Sequence, residues 1–146
     1  MSDDYFALLG MGDANFSIDL KLMEKNYIDI QRCSHPDRFF YTKDKESAVR
    51  HIAKVNKAYL VLKSPVSRAE YILEGSGTKL SDEDRSKVVG EVFDLELSAS
   101  ELDAEMQKCI KLMEGFFSNG DMYQAAIQVE KLKYLRSIGR RKLGCS

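Results

Sequence analysis

The sequence predicts an all-α protein in two parts: an N-terminal helical hairpin with short flanking helices, and a C-terminal three-helix bundle. Apolar residues recur at helical spacing along most of the chain, and no segment shows the polar and apolar alternation of a strand. The run Glu74-Gly75-Ser76-Gly77 has the composition of a linker. We therefore expect one domain over residues 1–75, a linker over 76–80 and a second domain over 81–146.

Composition and charge exclude several classes of protein. Of the 146 residues, 44% are hydrophobic and 31% are charged, which is typical of a folded globular chain. The net charge of −1 gives no general attraction to nucleic acid or to a membrane surface. No apolar run is long enough to span a membrane, and the N-terminus lacks the basic and apolar order of a secretory signal, so we expect a cytoplasmic protein.

The cysteines predict reduced thiols. Cys33, Cys109 and Cys145 lie far apart and form no Cys-x-x-Cys pair, which a zinc site or a disulfide framework would need. Cys109 falls on an apolar helical stripe, so we expect it in the core.

The N-terminal part begins with a short helix and a longer one. Residues 5–9 form one apolar turn that ends at Gly10. A second helix follows, capped by Asp19 or Ser17. It should end at His35-Pro36, because proline lacks an amide hydrogen and disfavours a helical conformation at the residue before it.

A third helix pairs with the second. After a predicted loop at residues 41–45, an apolar stripe runs to Ser64-Pro65, and a fourth helical segment covers Val66 to Leu73. The stripes of the second and third helices can face each other, which predicts an antiparallel hairpin. Their members are Leu20, Met23, Tyr27 and Ile30 in the second helix, and Ala48, Ile52, Val55, Tyr59 and Leu62 in the third.

The second helix also carries a row of cations. Lys21, Lys25 and Arg32 lie within about 40° of one another, and the row runs toward His35. A solvated face would explain such a row, and so would a docking surface for an acidic partner. The residues alone leave both readings open.

The C-terminal part has opposite charge at its two ends. Residues 82–105 contain nine acidic and two basic side chains, whereas residues 131–142 contain six basic side chains and no acidic one. Opposite charge suits helices that lie alongside each other, although each surface ion pair contributes little.

Capping motifs divide this part into three helices. Ser81 and Ser100 each stand three residues before an aspartate, which is the spacing of a capping box. Asn119-Gly120-Asp121 suits the end of one helix and the start of the next. Short connections then join three helices into an up-down-up bundle. The predicted helices cover residues 82–98, 101–118 and 121–140, and the stripe of the middle one comprises Leu102, Met106, Cys109, Met113 and Phe116.

Two of these helices carry more apolar surface than a core needs. In the third bundle helix a second apolar set lies about 180° around the helix from the core set. In the first bundle helix the second set lies about 100° around from the core set and has a carboxylate at its rim. Such surface predicts a docking site, although cover by the linker, by the helix at 66–73 or by the N-terminal part would also explain it. The core sets are Ala125, Val129, Leu132 and Val88, Val92, Leu95, and the second sets are Tyr123, Ile127, Tyr134 and Val89, Phe93, Glu96.

The residues do not support catalysis. Cys33, His35 and Asp37 alternate across a proline corner, whereas a catalytic triad draws its members from distant parts of a chain. Together with His51 they match no zinc spacing, and no glycine-rich phosphate loop is present. The basic row is too short for a nucleic-acid module. We expect no catalytic site, no metal and no cofactor.

Five motifs give residues 1–75 a resemblance to a J domain. His-Pro-Asp alone is a weak signal, but Asn-x-Ala-Tyr at this distance and between these helices makes it specific. With the bundle that follows, nearly the whole chain is similar to the HscB family, the J-type co-chaperones of iron–sulfur cluster assembly. The motifs are Tyr5-Phe6-x-Leu8-Leu9-Gly10, Tyr27-x-x-Ile30-Gln31-Arg32, His35-Pro36-Asp37-Arg38-Phe39, Val55-Asn56-x-Ala58-Tyr59-x-x-Leu62 and Pro65-x-x-Arg68-Ala69-Glu70-Tyr71-Ile72-Leu73.

The resemblance implies a function and two sets of contact residues. A J domain stimulates the ATPase of an Hsp70-type chaperone (HscA or DnaK), and the bundle of this family binds the iron–sulfur scaffold protein IscU. The chain is therefore expected to deliver the scaffold to the chaperone in a bacterial cytoplasm and to aid maturation of iron–sulfur proteins; the alternative is a general J-domain protein that presents unfolded clients. The implied Hsp70 contacts are His35, Pro36, Asp37, Arg38, Lys21, Lys25 and Arg32, and the implied scaffold contacts are Val89, Val92, Phe93, Glu96 and Tyr134.

Overall fold

The structure is a computed structural model that describes residues 4–33 and 42–142. All regular elements in these residues are helices, so the predicted all-α fold class is confirmed. None of the helices so described is both long and apolar enough to cross a membrane. In chain order they are α1 (Tyr5–Leu8), α2 (Leu20–Cys33), α3 (Thr42–Lys63), α4 (Pro65–Ser76), α5 (Asp82–Phe93), α6 (Ala99–Ser118) and α7 (Met122–Lys142).

Internal contacts divide the chain into residues 1–68 and 69–146, here called the N-terminal unit and the C-terminal unit. The division falls inside α4, which continues through Gly75 to Ser76. Gly77 ends this helix at a φ of 72°, and the amide of Thr78 donates to the carbonyl of Leu73 at 3.0 Å, as in the usual glycine-terminated helix end. The linker at residues 76–80, as the boundary between two domains, stays a prediction.

Local capping explains the first two helices. The carboxylate of Asp4 accepts hydrogen bonds from the amides of Phe6 and Ala7 at the start of α1, and that helix stops before Gly10 as predicted. Of the two candidate caps for α2, Asp19 is the one used, because its Oδ1 accepts from the amide of Leu22 at 3.1 Å.

Two boundaries of α3 and α4 can be compared with the predictions. The prediction of a loop over residues 41–45 was wrong from Thr42 onward, where α3 begins. Lysine, which stands at two of these four positions, favours helix, so this polar turn needs no apolar stripe to form. The end of α3 near Ser64-Pro65 is confirmed, with Pro65 at the first position of α4, where its missing amide hydrogen costs nothing.

The core of the N-terminal unit gathers apolar side chains from α1, α2, α3, the start of α4 and the α1–α2 connection. It also contains Arg68, whose guanidinium lies 4.7 Å from the ring centre of Phe16 and donates to the carbonyl of Leu62 at 2.9 Å. The buried apolar residues of this unit are Phe6, Leu9, Phe16, Met23, Ala48, Val55, Ala58, Leu62 and Val66.

In the C-terminal unit the first cap is confirmed and the second prediction is corrected. Ser81 Oγ accepts from the amide of Asp84 at 3.2 Å, as the capping-box spacing predicts. The next helix is capped by Ser98, which accepts from the amide of Glu101 at 3.2 Å, and Ser100 lies inside α6. An N-cap residue leaves the helical conformation, so α5 cannot run through residue 98. It ends at Phe93, five residues before the predicted end at residue 98.

The connection between α6 and α7 is confirmed. Asn119 ends α6, Gly120 has a φ of 75°, and Asp121 accepts from the amide of Gln124 at 3.2 Å to start α7. Helix α7 packs against both α5 and α6. The buried apolar residues of this unit are Ala69, Leu73, Val88, Val92, Leu102, Cys109, Met113, Ala125, Ala126, Val129, Leu132 and Leu135.

Candidate partner-binding surfaces

The predicted Hsp70 contacts fall partly on residues that the structure describes. His35, Pro36, Asp37 and Arg38 lie outside the described residues, which end at the last residue of α2, Cys33, and resume at the first residue of α3. Their roles stay predictions.

The three remaining predicted contacts form an exposed row on α2. Lys21, Lys25 and Arg32 are all exposed, and helical geometry puts them on the side opposite Met23, which is 1% exposed. Lys25 Nζ lies 3.3 Å from Asp29 Oδ2, but an ion pair between such exposed side chains holds the lysine only weakly. The row is therefore accessible to an acidic partner.

A polar contact that the sequence did not predict ties α2 to α3. Asn56 Oδ1 accepts a hydrogen bond from Tyr27 Oη at 2.7 Å and another from Gln31 Nε2. Beside it, the rings of Tyr27 and Tyr59 stack with their centroids 4.1 Å apart and their planes 5° apart. All four residues belong to the motifs that carry the family resemblance. Their spacing in the sequence does not reveal which of these side chains contact each other.

Among the described residues of the C-terminal unit, Phe93 is the most exposed large apolar side chain. Its side chain is 78% exposed at the last position of α5, while Val89, one turn earlier, is half-buried. Tyr134 on α7 is half-buried and Glu96 is exposed. Leaving a phenylalanine in water forfeits about 2 kcal/mol of burial, so Phe93 is the strongest candidate anchor for a partner.

Two predicted scaffold contacts need correction. Val92 is 2% exposed and belongs to the bundle core, so its side chain is not available to a partner. Glu96 lies beyond the end of α5, so the helical spacing that placed it beside Val89 and Phe93 does not apply to it. Of the predicted scaffold contacts, Val89, Phe93 and Tyr134 keep exposed or half-buried side chains, and the exposed Glu96 lies in the connection after α5.

Part of the second apolar set on α7 serves the fold. The hydroxyl of Tyr123 donates to the carboxylate of Asp84 and accepts from the amide of Ser81 at 3.3 Å. The donation from Tyr123 holds the pKa of Asp84 below its ordinary value. The tyrosine thus ties the start of α7 to the capped start of α5. This contact lies within the bundle and is not the cover by the linker, by the helix at 66–73 or by the N-terminal part that the alternative named.

The ion pairs of the C-terminal unit differ from the pairing that opposite charges predicted. Arg85 on α5 lies 3.9 Å from Glu130 on α7, and Lys133 lies 3.5 Å from the same glutamate. Lys133 also lies 3.7 Å from Glu70 in the part of α4 that belongs to this unit. Arg85 is one of the two cations of the acidic segment, and its partner Glu130 lies just before the basic segment, so this contact does not join the acids of residues 82–105 to the cations of residues 131–142.

Cysteine chemistry is not prominent among the described residues. Cys109 is buried as predicted, and burial raises the pKa of its thiol, which lowers the thiolate fraction. Cys33 is an exposed free thiol at the end of α2. Within residues 4–33 and 42–142, no three histidine, cysteine or acidic side chains lie close enough together to hold a metal ion.

Comparison with known proteins gives consistent relatives, although no protein-family model matches the chain. It is 42% identical to the co-chaperone protein HscB of Proteus mirabilis over 85 residues, which is 57% of this chain and 49% of that relative. It is 32% identical to the HscB homologue of Pseudoalteromonas atlantica over 158 aligned positions, which cover 90% of each chain. The crystal structure of human co-chaperone protein HscB matches 98% of this chain and 82% of its own, with a TM-score of 0.79 and 23% identity.

Proposed function

The chain belongs to the HscB family of co-chaperones. We propose that it stimulates the ATPase of an HscA-type Hsp70 and delivers an IscU-type iron–sulfur scaffold protein to it. The observation that carries the proposal is the 32% identity that extends over 90% of both chains, so both units are included. The matching fold, a J domain followed by a helical bundle, supports it.

In this proposal the N-terminal unit is the Hsp70-binding part. The exposed row of Lys21, Lys25 and Arg32 supports it, because charged side chains opposite the core are free to meet an acidic surface. His35, Pro36 and Asp37 then contact the chaperone directly and bias it toward hydrolysis. The chemistry takes place in the chaperone, and this chain contributes no catalytic group.

The C-terminal unit is the proposed scaffold-binding part. The exposed aromatic ring of Phe93 supports it, because an interface concentrates its energy in a few large side chains near its centre. Val89 and Tyr134 extend the apolar contact, and Glu96 supplies a charge at its rim. A partner with an apolar patch beside a basic residue would fit this surface.

Holding both partners at once explains why stimulation should depend on both. A tethered scaffold meets the chaperone at an effective concentration that is set by the tether. Free scaffold would have to be present at about millimolar concentration to match it. Contact with the J domain at the same time shifts the chaperone toward its client-trapping state, because the J domain binds that state of the chaperone more tightly.

The test is the ATPase rate of the Hsp70 with this protein and the scaffold, added singly and together. We expect stimulation by this protein alone and a larger rate with both. His35→Gln should abolish stimulation while leaving scaffold binding intact, because the two contacts use different units. No stimulation by the wild type, or equal stimulation by His35→Gln, contradicts the proposal.

A general J-domain protein is the second candidate, because an exposed phenylalanine could also bind an unfolded segment. Competition separates the two. If the scaffold is the client, an unfolded model protein should not displace it from this chain at equal concentration. Displacement would favour the general role.

Because the relatives from Proteus and Pseudoalteromonas are bacterial, we propose a bacterial cytoplasm as the setting.

A further inference from the structure

Apolar packing holds α2 in place only weakly. Of its 14 residues Met23 is the buried one, and Leu20, Leu22 and Ile28 are between 41% and 48% exposed. Hydrophobic contacts have no direction, so one buried side chain does little to prevent a helix from rotating about its axis or sliding along its neighbour. The direction of the cationic row therefore has to be set by something else.

Side-chain hydrogen bonds from α2 reach two places in the unit. Asn26 Nδ2 donates to the carbonyl of Leu9 at 2.9 Å, and nearer the end of α2 two further bonds meet at Asn56 of α3. Its side-chain oxygen accepts from Tyr27 Oη and from Gln31 Nε2, and all three side chains are partly buried. The two donors stand four residues apart, which places them on one side of α2 and one turn apart along its axis. Two hydrogen bonds from successive turns to one oxygen fix both the rotation of α2 and its height against α3.

The tie lies close to the predicted chaperone contact. Gln31 stands in the last turn of α2, next to Arg32 of the cationic row and two residues before the end of the helix at Cys33. A rotation of α2 by one residue is about 100° and would turn the row to a different side of the unit. The charges would then face the partner poorly, although each would still be present.

We propose that Asn56 is a positioning residue for the Hsp70 contact, which it serves by fixing the rotation of α2 and hence the direction of Lys21, Lys25 and Arg32. The inference rests on the proposed function, because the cationic row is taken to dock on the chaperone. Asn56 touches neither the chaperone nor a nucleotide in this account, and it acts only through Tyr27 and Gln31.

The first test measures the concentration of full-length protein that gives half-maximal stimulation of the Hsp70 ATPase. Asn56→Leu keeps the branched shape and the number of side-chain heavy atoms and removes the acceptor. We expect it to raise that concentration about tenfold, the effect of losing one to two neutral hydrogen bonds. Asn56→Asp keeps an acceptor oxygen in the same place, so it should stay within about threefold of wild type. A loss in Asn56→Asp as large as in Asn56→Leu would overturn the proposal.

The donors provide an independent check. The double variant Tyr27→Phe with Gln31→Leu should match Asn56→Leu, and adding Asn56→Leu to it should cause no further loss, because the same two hydrogen bonds are already absent. An additive further loss would show that Asn56 acts in another way. These variants also keep the test decisive if Asn56→Leu alone folds poorly.

Helix orientation separates positioning from stability and from the proposed function. Residual dipolar couplings of amides in α2 and α3 are measured on the full chain without chaperone. Because the N–H bonds tilt slightly from the helix axis, the couplings oscillate along each helix, and the phase of the oscillation reports the rotation of that helix about its axis. The phase in α2 relative to that in α3 should change in Asn56→Leu and stay as in wild type in Asn56→Asp. Unchanged couplings in Asn56→Leu would refute the positioning role, even if the ATPase effect appears. If the wild type fails to stimulate any Hsp70, the proposed function fails, and the couplings still decide whether Asn56 orients α2.

Discussion

Helices α2 and α7 each carry part of a proposed partner surface, but they are held in place by different forces. Helix α7 packs on both α5 and α6 through a continuous buried set. Helix α2 buries Met23 and is held largely by polar and ring contacts: two hydrogen bonds to Asn56, one from Asn26 to Leu9, and the stack of Tyr27 on Tyr59. The α7 surface should therefore withstand changes outside the core, while the α2 surface should respond to a single polar substitution. The buried residues of α7 are Ala125, Ala126, Val129, Leu132 and Leu135.

The largest expected effect tests the apolar support of α7. Leu132 is 1% exposed, so Leu132→Ala should lower the free energy of unfolding by about 2–5 kcal/mol, the range for removing a buried leucine. Urea unfolding followed by circular dichroism measures it. The matched control is Leu60→Ala, since Leu60 is 67% exposed and its removal should cost under about 0.5 kcal/mol. Equal losses would contradict the assignment of core and surface.

A smaller effect is expected at the proposed scaffold surface. Phe93→Ala and Tyr134→Ala together should weaken scaffold binding by about 1–3 kcal/mol if these rings are hot spots, with no loss of ATPase stimulation in the absence of scaffold. Calorimetric titration of the scaffold measures the affinity. Leu112→Ala on α6 removes another partly exposed apolar side chain and serves as the control. Unchanged affinity in the double variant would place the client site elsewhere.

Charge reversal on α2 should weaken the Hsp70 contact by about as much as the aromatic substitutions weaken scaffold binding, or by less. Lys25→Glu should raise the concentration needed for half-maximal ATPase stimulation by about threefold to tenfold, because an exposed charge mainly affects encounter with an oppositely charged surface. The effect should shrink as salt is added, since exposed charges are screened. Lys87→Glu reverses a similarly exposed lysine on α5 and should change nothing. A loss that is independent of salt would argue against an electrostatic contact.

The smallest effect concerns the tie between α5 and α7. Tyr123→Phe should raise the pKa of Asp84 toward its ordinary value, because the hydroxyl that stabilises the carboxylate is gone. Since the folded-state pKa of Asp84 is depressed, its contribution to stability is present above the ordinary value of 3.8 and is lost as the pH falls through the folded value. The stability difference between wild type and variant should therefore be greater at pH 7 than in acid. An NMR titration of the Asp84 carboxyl and urea unfolding at both pH values check this, and a difference that grows in acid would contradict it.

Most of the fold could be predicted from the sequence because helix ends are local events. Gly120 with Asp121, and Pro65 at the start of α4, end or begin helices through their own backbone conformation, and the structure follows them. The prediction was wrong where two local signals competed. Ser98 and Ser100 each stand three residues before an acidic residue, and local spacing does not choose between them. Residue type does choose, because a capping box has glutamate or glutamine at its last position, and Glu101 supplies it for Ser98, whose Oγ donates to Glu101 Oε1 at 3.0 Å.

The candidate sites divide in the same way between local and long-range causes. By itself, the sequence determined the helices, the excess apolar surface of α5 and the cationic row of α2, since these follow from residue type and a fixed turn per residue. Periodicity had already placed Val92 in the core and Phe93 outside it, and the structure agrees. Only the tertiary structure decided that Asn56 accepts from Tyr27 and Gln31, and that α5 ends before Glu96. The physical reason is that burial and hydrogen bonding depend on the register between helices, which the packing of the whole unit fixes.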